Sequence, residues 1–179
     1  MASIVPGDEL TDPELDLQHT PDRAAKAMVE LLGTYSIGAL QDLDAQWKQF
    51  DSRWVREGTP VVQNGIRFYS MCAHHMLPFF GYFDVQYVVG PGRQIAGLSK
   101  LARTINYFSA MLQTQERLTT MVHDYLASKL SPTRLQVHTI ARHLCMEMRG
   151  VHNDACTEVM IASGDGTDLD MFQTTLDRP

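Results

Sequence analysis

The hydrophobic period changes twice along this sequence, and that change restricts the possible folds more than any other feature. Through residues 61–89, apolar and polar side chains alternate in short runs separated by turn residues, which is typical of β-strands. Over residues 98–130 the apolar period becomes 3.6, as in two amphipathic helices, and alternation returns from residue 135. This order predicts an α+β fold in which a helix pair packs on one face of an antiparallel sheet.

Turn and capping residues set the bounds of the predicted elements. The predicted strands cover residues 61–62, 66–71, 82–89, 94–96, 135–141 and 156–162. The predicted helices cover residues 20–32, 37–50, 98–112, 114–130 and 169–176. We expect Thr20 and Thr114 to cap their helices, residues 63–65 (Gln-Asn-Gly) to form a hairpin turn, and residues 1–18 to form a loose arm.

Bulk composition limits the kinds of partner that the protein could bind. The chain has 179 residues, of which 44% are hydrophobic, and this predicts a single globular unit. The net charge of −6 argues against nucleic acid or an anionic membrane as a partner. No apolar run approaches the roughly 20 residues of a membrane helix, and no signal peptide is apparent. The three cysteines, an odd number, fit reduced thiols in a cytoplasmic protein.

Two clusters of cysteine and histidine contain the candidate metal ligands. They are Cys72-Ala73-His74-His75 and His143-Leu144-Cys145. His75 can reach the same metal as Cys72 only if the chain turns after the strand, which Pro78 favours. We expect His143 and Cys145 to share one face of a strand. Three protein ligands with an open position are typical of catalytic zinc, although buried cysteines and histidines often serve only the core.

Five segments of the chain resemble GTP cyclohydrolase I. They are residues 20–26 (Thr-Pro-Asp-Arg-Ala-Ala-Lys), 72–81 (Cys-Ala-His-His-Met-Leu-Pro-Phe-Phe-Gly), 97–103 (Gly-Leu-Ser-Lys-Leu-Ala-Arg), 113–119 (Gln-Thr-Gln-Glu-Arg-Leu-Thr) and 143–150 (His-Leu-Cys-Met-Glu-Met-Arg-Gly). The resemblance implies hydrolysis of GTP at guanine C8, release of formate and formation of 7,8-dihydroneopterin triphosphate. The downstream pathway stays open among folate, a pterin cofactor and a 7-deazapurine.

The resemblance also implies an architecture. It implies the tunnelling fold (T-fold), in which the four-stranded sheets of several subunits join into a ring. Residues 1–60 would form an N-terminal arm with helices, and residues 61–179 the T-fold catalytic domain of one structural unit. A homodecamer with sites at subunit contacts is expected, which agrees with exposed edges predicted for strands 82–89 and 135–141.

The site residues implied by the resemblance fall into three groups. Zn²⁺ would be held by Cys72, His75 and Cys145. The catalytic residues would be His74, His143 and Ser99. The substrate-binding residues would be Gln115 and Glu116 near the guanine, with Lys100, Arg103, Arg149, Arg23 and Lys26 around the triphosphate, where arginine forks suit phosphate oxygens.

Departures from the family pattern keep an alternative open. Ala73 stands where the family has Glu, and residues 110–112 (Ala-Met-Leu) replace the usual basic-Arg-Pro sequence. The first hypothesis is an active cyclohydrolase on GTP or on a relative such as dGTP. The alternative is a non-catalytic or regulatory homologue that binds a purine nucleotide or zinc. A zinc nucleobase deaminase fits poorly because the paired His-x-Glu and Pro-Cys-x-x-Cys motifs are absent from the sequence.

Overall fold

A computed structural model of the chain describes residues 15–35, 39–51 and 54–164. Its strands are β1 (Gln49–Asp51), β2 (Pro60–Cys72), β3 (Pro78–Val88), β4 (Gln94–Ala96), β5 (Leu112–Gln113), β6 (Arg134–His143) and β7 (Thr157–Gly164). Five strands form the main sheet in the order β5-β2-β3-β6-β7, while β1 and β4 form a two-stranded sheet. In the main sheet every pair is antiparallel except β5 with β2.

The helices confirm the predicted α+β architecture. They are α1 (Thr20–Leu31), α2 (Ala39–Gln46), α3 (Leu98–Ser109), α4 (Gln115–Leu130) and α5 (Leu144–Glu147). Helices α3 and α4 contact each other and pack on the main sheet. Thr114 caps α4 as predicted, because its Oγ1 accepts the Arg117 N–H at 3.3 Å. Among the described helices, none is both long and apolar enough to cross a membrane.

The core lies between the main sheet and the helix pair. In β3, Phe83, Val85 and Tyr87 are fully buried, but Asp84 and Gln86 between them are buried too, so burial does not follow the predicted alternation. Aromatic rings interlock across the strands, with the Phe68 and Phe83 centroids 4.9 Å apart in an edge-on arrangement. The helices add apolar stripes made of Leu101, Ile105, Phe108, Leu118, Val122 and Leu126. Each such side chain stabilises the fold by about 1.5–3 kcal/mol through burial.

Strand β2 is continuous where a hairpin turn was predicted. It pairs with β3 along its length, and the register shifts between Gln63 and Ile66. Gly65 has a positive φ of 72°, and its N–H donates to Asp84 Oδ1 at 2.7 Å. The Gln-Asn-Gly sequence therefore forms a bulge held by a carboxylate on the neighbouring strand, and the turn prediction is wrong.

The sheet edges also differ from the prediction. Strands β3 and β6, expected to expose their edges, are interior strands with a partner on each side. Within the described part of the chain, β7 pairs on one side, and the outer side of β2 meets only the two-residue β5. The open edges thus belong to β2 and β7, because β3 and β6 pair with each other over ten residue pairs.

The N-terminal helices are shorter or less buried than expected. No residue of α1 is buried, so its apolar stripe of Ala24, Met28 and Leu31 does not enter the core. Thr20 is the first helical residue and not the cap. Helix α2 ends at Gln46, and Phe50 lies in β1. The predicted helix at 169–176 and residues 1–14 of the predicted arm lie outside the described residues.

A buried histidine lies on the face of the sheet opposite α4. His138 is 1% exposed, and its Nε2 lies 3.0 Å from Glu158 Oε2. Its Nδ1 lies 3.8 Å from Asp84 Oδ2. Burial lowers the pKa of His138, but hydrogen bonding and attraction by the two carboxylates outweigh burial, so the pKa is raised. Folding therefore favours the charged form of this imidazole.

Candidate metal centre and its surroundings

The first cluster of ligands is formed by a tight turn at the end of β2. The Met76 N–H donates to Cys72 O, and the Cys72 N–H donates to Leu77 O, both at 2.9 Å. Met76 has a φ of 51°, in the left-handed region that closes such turns. The reversal carries His75 back over the strand end, so that its Nδ1 lies 3.9 Å from Cys72 Sγ. The predicted turn after Cys72 is thus confirmed.

Ala73 lies on the outside of this turn. Its N–H donates to Gln113 O at 2.8 Å, which ties the turn to β5. The residue itself is exposed. A carboxylate at this position would therefore project from the surface of the turn.

The second cluster is not a strand face, contrary to the prediction. Strand β6 ends at His143, and Cys145 lies on the short helix α5. Arg142 and Glu147 bracket this helix with a two-pronged ion pair, in which Arg142 Nε lies 3.1 Å from Glu147 Oε2. The change from strand to helix, rather than a period of two, carries the Cys145 thiol to the first cluster.

Cys72, His75 and Cys145 together form a compact donor set. One ligating atom from each lies within 4.8 Å of the others. Burial, with a hydrogen bond to and repulsion from the Cys72 thiol, raises the pKa of Cys145. A cation between the two sulfurs would remove that penalty. The ordered arrangement of these thiols therefore suits a metal better than a free dithiol.

The distances within this set suit a tetrahedral ion. Zn–S bonds of about 2.3 Å and Zn–N bonds of about 2.0–2.1 Å at tetrahedral angles separate sulfur from nitrogen by about 3.6 Å. The observed separation of Cys72 Sγ from His75 Nδ1, 3.9 Å, is close to that value. Two thiols and an imidazole select zinc or another soft-to-borderline ion over Mg²⁺ or Ca²⁺.

His143 ends β6, two residues before Cys145, and its ring is held in a fixed orientation. Its ring stacks on Phe79, with centroids 4.8 Å apart and parallel planes. Its Nε2 lies 2.9 Å from Gln115 Oε1. Burial lowers the pKa of His143, while the charge of Glu116 opposes this effect. The imidazole is therefore held on two sides.

Gln115 is buried, which differs from its expected role at the substrate. The residue is 1% exposed. Its Nε2 donates to Thr157 O at 2.9 Å and to Thr139 O and Oγ1 at 3.3 and 3.2 Å. Its Oε1 is engaged by His143. Both ends of the amide are occupied within the protein, which argues against a direct contact between this side chain and a substrate.

Three further predicted residues are exposed. Glu116 follows Gln115 in the first turn of α4, and its charge reaches His143. His74 is exposed, and its ring lies edge-on to His75 with centroids 6.2 Å apart. The exposed Arg149 donates from Nη1 to Cys145 O at 3.3 Å. These side chains can meet a molecule that approaches the donor set.

A second group of predicted residues lies at the other end of α3. Ser99, Lys100 and Arg103 occupy its first turns, whereas its last residue, Ser109, accepts a hydrogen bond from Ser70 next to the β2 turn. At 1.5 Å per residue, Ser99 lies about 15 Å along the axis from that end. A single chain therefore does not bring these residues to its own metal centre.

The basic cluster at this end of α3 includes Lys48, which was not predicted, beside the predicted Lys100 and Arg103. The pKa of Lys100 is lowered by desolvation and by repulsion from Arg103 and Lys48. Arg103 donates to Gln46 Oε1 at 2.8 Å and lines a cavity of about 370 Å³ between α2 and α3. Lys48 was missed because 52 positions separate it from Lys100, and no local pattern marks it.

Arg23 and Lys26 lie on α1. Arg23 donates to Asp16 Oδ2 and O at 2.7 and 2.6 Å. Lys26 is exposed. Phe79 was also missed as a site residue, although its pairing with His143 follows from the two-residue period of the strands.

Known proteins share the sequence of this chain over most of its length. The sequence profile described as GTP cyclohydrolase I matches residues 7–174. A GTP cyclohydrolase 1 from Hyperthermus butylicus is 42% identical over 156 residues, covering 86% of this chain and 74% of that protein. The same name is carried by a Deinococcus radiodurans protein, 42% identical over 142 residues, covering 78% of this chain and 62% of that protein. A third relative, a GTP cyclohydrolase 1 from Porphyromonas gingivalis, is 43% identical over 141 residues, covering 78% of this chain and 69% of that protein.

One solved structure is similar in fold. The apo crystal structure of the archaeosine synthase QueF-Like superposes with a TM-score of 0.51 at 13% identity. The match covers 61% of this chain and 97% of that protein. At this identity the likeness concerns the fold alone. Together with the profile match, it shows that the curled antiparallel sheet and its helix pair form a T-fold.

Proposed function

The chain belongs to the GTP cyclohydrolase I family, and on that premise we propose that it converts GTP to 7,8-dihydroneopterin triphosphate and formate. The observation that carries the proposal is the Cys72, His75 and Cys145 donor set, together with the oriented imidazole of His143 two residues before Cys145 in the chain. A group able to exchange protons thus accompanies a site able to hold a Lewis acid. Hydrolytic opening of a heteroaromatic ring requires both.

We assign the metal site to Cys72, His75 and Cys145. Their separations and donor types fit zinc, as derived above. When bound, zinc supplies Lewis acidity that lowers the pKa of a water molecule to about 7. The three protein donors leave one tetrahedral position for a fourth ligand, which is the arrangement of catalytic rather than structural zinc.

The protein residues around the centre would bind and orient the guanine. In this proposal His143 donates a proton to N7 while C8 is attacked by water. Glu116, exposed in the first turn of α4, accepts hydrogen bonds from N1–H and the 2-amino group. Adenine presents no such pair of donors, so this carboxylate selects guanine. His74 would lie by the ribose, and Ser99 would serve the later rearrangement of the sugar.

Triphosphate binding would require more than one copy of the chain. Lys100 and Arg103 lie about 14 Å and about 9 Å along α3 from its last residue, Ser109. We infer that these residues, with Lys48, Arg23 and Lys26, reach the site of a neighbouring copy, while Arg149 serves its own. Local cations of this kind would hold a tetra-anionic ligand on a protein of net charge −6. We propose a homo-oligomer, with ten copies as the expected number.

The open edges of the sheet support such an assembly. The outer side of β7, and most of the outer side of β2, have no strand partner within the described residues. Unpaired edges of this length invite pairing with another copy. Joining β2 of one copy to β7 of the next would extend the sheet into a closed ring.

The test is turnover by the purified, zinc-loaded protein. GTP and dGTP are supplied in parallel, and formate release and the fluorescent pterin formed after oxidation are measured. We expect both signals with GTP in the wild type, and loss of both in His143→Ala, which should still retain zinc. Cys156→Ala, which removes an exposed thiol outside the donor set, is the matched control and should turn over at the wild-type rate.

Other outcomes point to other functions. Formate without pterin would mean that the ring opens but the sugar does not rearrange, which would implicate Ser99. A preference for dGTP would change the proposed substrate but not the proposed reaction at guanine C8. A folded, zinc-loaded oligomer that gives neither signal would reject the proposal in favour of a non-catalytic homologue that binds a nucleotide.

A further inference from the structure

We propose that Gln115 is a positioning residue that fixes the tautomer of His143, with the proton on Nε2 and a free lone pair on Nδ1. The geometry that carries this is a set of hydrogen bonds whose donors and acceptors can be assigned by exclusion. The role of this tautomer in turnover rests on the function proposed above. The tautomer itself does not.

The orientation of the Gln115 amide is set by groups that can only accept. One end of the amide faces Thr157 O at 2.9 Å and Thr139 O at 3.3 Å. Backbone carbonyls have no proton to donate, so the NH₂ group must occupy this end. A flipped amide would place its oxygen against two carbonyl oxygens in a buried site, which costs the free energy of unmade hydrogen bonds.

The hydroxyl groups nearby agree with this orientation. The Thr119 hydroxyl donates to Gln115 O at 2.7 Å, so its proton is committed there. The Thr139 hydroxyl has two acceptors for its proton, Thr119 Oγ1 at 2.8 Å and Val159 O at 3.3 Å. The Thr139 oxygen then has lone pairs to accept from Gln115 Nε2 at 3.2 Å. With either acceptor, Thr139 faces the Gln115 amide as an acceptor, which agrees with an NH₂ group at that end.

The other end of the amide then determines the histidine. Gln115 Oε1 has no hydrogen and can only accept, so the contact of 2.9 Å requires a proton on His143 Nε2. In the neutral imidazole this leaves Nδ1 unprotonated. Stacking on Phe79 keeps the ring plane from turning away from this bond. Proton exchange with a bound molecule would therefore pass through Nδ1.

This tautomer allows His143 to transfer a proton from Nδ1 to a bound purine. An imidazolium carries protons on both nitrogens, and transfer of the Nδ1 proton to N7 of a purine leaves the electron pair of the broken N–H bond on Nδ1 as its lone pair. N7 supplies the lone pair that forms the new N–H bond. The product is the Nε2–H tautomer, which Gln115 already stabilises. No reorientation of the ring is required between turnovers.

The first test is the ring ¹⁵N spectrum of histidine in the full-length, zinc-loaded protein. The spectrum is recorded at about pH 8, well above the ordinary imidazole pKa of about 6.5. The His143 signals are identified by their loss in His143→Ala. We expect a protonated Nε2 and an unprotonated Nδ1. Protonated Nδ1 in the wild type would overturn the proposal, and this measurement requires no Gln115 variant to fold.

The second test compares Gln115→Met with Gln113→Met. Gln113 is also a fully buried amide near the centre, but its Nε2 donates to Phe108 O and it does not bond His143. Gln115→Met should give a mixture of His143 tautomers, whereas Gln113→Met should keep the Nε2–H form. Equal disturbance of the histidine signal in both variants would reduce Gln115 to a structural role and overturn the proposal.

Kinetics separate positioning from substrate contact. Positioning predicts that Gln115→Met lowers kcat by about 10- to 100-fold and leaves KM within about twofold. A rise in KM at unchanged kcat would mean that Gln115 binds substrate directly and would overturn the proposal. Nε2–H in a protein without turnover would support the tautomer and reject the proposed function, so the two failures are distinguishable.

Discussion

Removing one thiol from the donor set should abolish tight metal binding without unfolding the protein. We expect Cys145→Ala to weaken zinc binding strongly, because it leaves Cys72 and His75 as the two remaining protein donors. Cys145 lies on the four-residue helix α5 and is only partly buried, so truncation removes little apolar packing. The Arg142–Glu147 ion pair, which brackets α5, remains intact in the variant.

The size of the effect follows from the number of ligands. Structural zinc sites with four protein ligands bind with about 10–16 kcal/mol, or about 2.5–4 kcal/mol for each ligand. Since 1.4 kcal/mol is a factor of ten in Kd, loss of one of three ligands should raise Kd by about 10²- to 10³-fold. The matched control, Cys156→Ala, should leave Kd within about twofold.

The assay is competition for zinc with a chromogenic chelator at fixed pH, with urea unfolding in metal-free buffer as a check on the fold. Wild-type affinity in Cys145→Ala would refute the assignment of Cys145 as a ligand. Equal weakening in Cys156→Ala would show that the metal binds elsewhere or through general thiol chemistry.

Two further predictions concern stability. Gly81→Ala should destabilise the fold by about 3 kcal/mol or more in urea unfolding, because a Cβ there would lie 1.9 Å from the backbone oxygen of Ile140. In the control, Gly33→Ala, the added Cβ meets nothing within 4 Å, and the free energy of unfolding should change by less than about 1 kcal/mol. Equal effects of the two substitutions would contradict the reasoning. The raised pKa of His138 means that its stabilising charge is fully present below pH about 6.5 and is lost as pH rises through the higher folded-state pKa. Unfolding free energies of the wild type should therefore fall across that window relative to those of His138→Gln, and parallel pH profiles for the two proteins would exclude this histidine as the source.

The sequence predicted those elements whose signal is local and repeated. Helix α4 has both a 3.6-residue stripe and a capping threonine, and it begins and ends as expected apart from one residue. The alternation of Phe83, Val85 and Tyr87 predicted a strand over residues 82–89, and β3 covers Pro78–Val88, with residues 83–87 buried on both faces. The donor set Cys72, His75 and Cys145 came from the family resemblance, and the structure brings its atoms together.

The remaining features depend on contacts between distant residues. The bulge in β2 was mistaken for a turn, because its Gly65 is held by Asp84, which lies 19 positions away. Helix α5 has four residues, too few to show a helical period, and so Cys145 was placed on a strand. The burial of Gln115 depends on acceptors in β6 and β7 that pattern reading cannot supply. The burial of a polar residue can be predicted only when its hydrogen-bond partners in the fold are known.

The two ends of α3 make different contacts, and this restricts where the chain can tolerate insertions and deletions. One end packs against the β2 turn through Ser109, and the other carries the basic cluster around Lys100. Inserting or deleting one residue within α3 would turn one end by about 100° relative to the other. Surface loops such as residues 151–156 can change length at little cost. The length of α3 thus fixes how its two ends are oriented relative to each other. In related sequences, insertions and deletions should therefore occur in the loops around α3 and not within it.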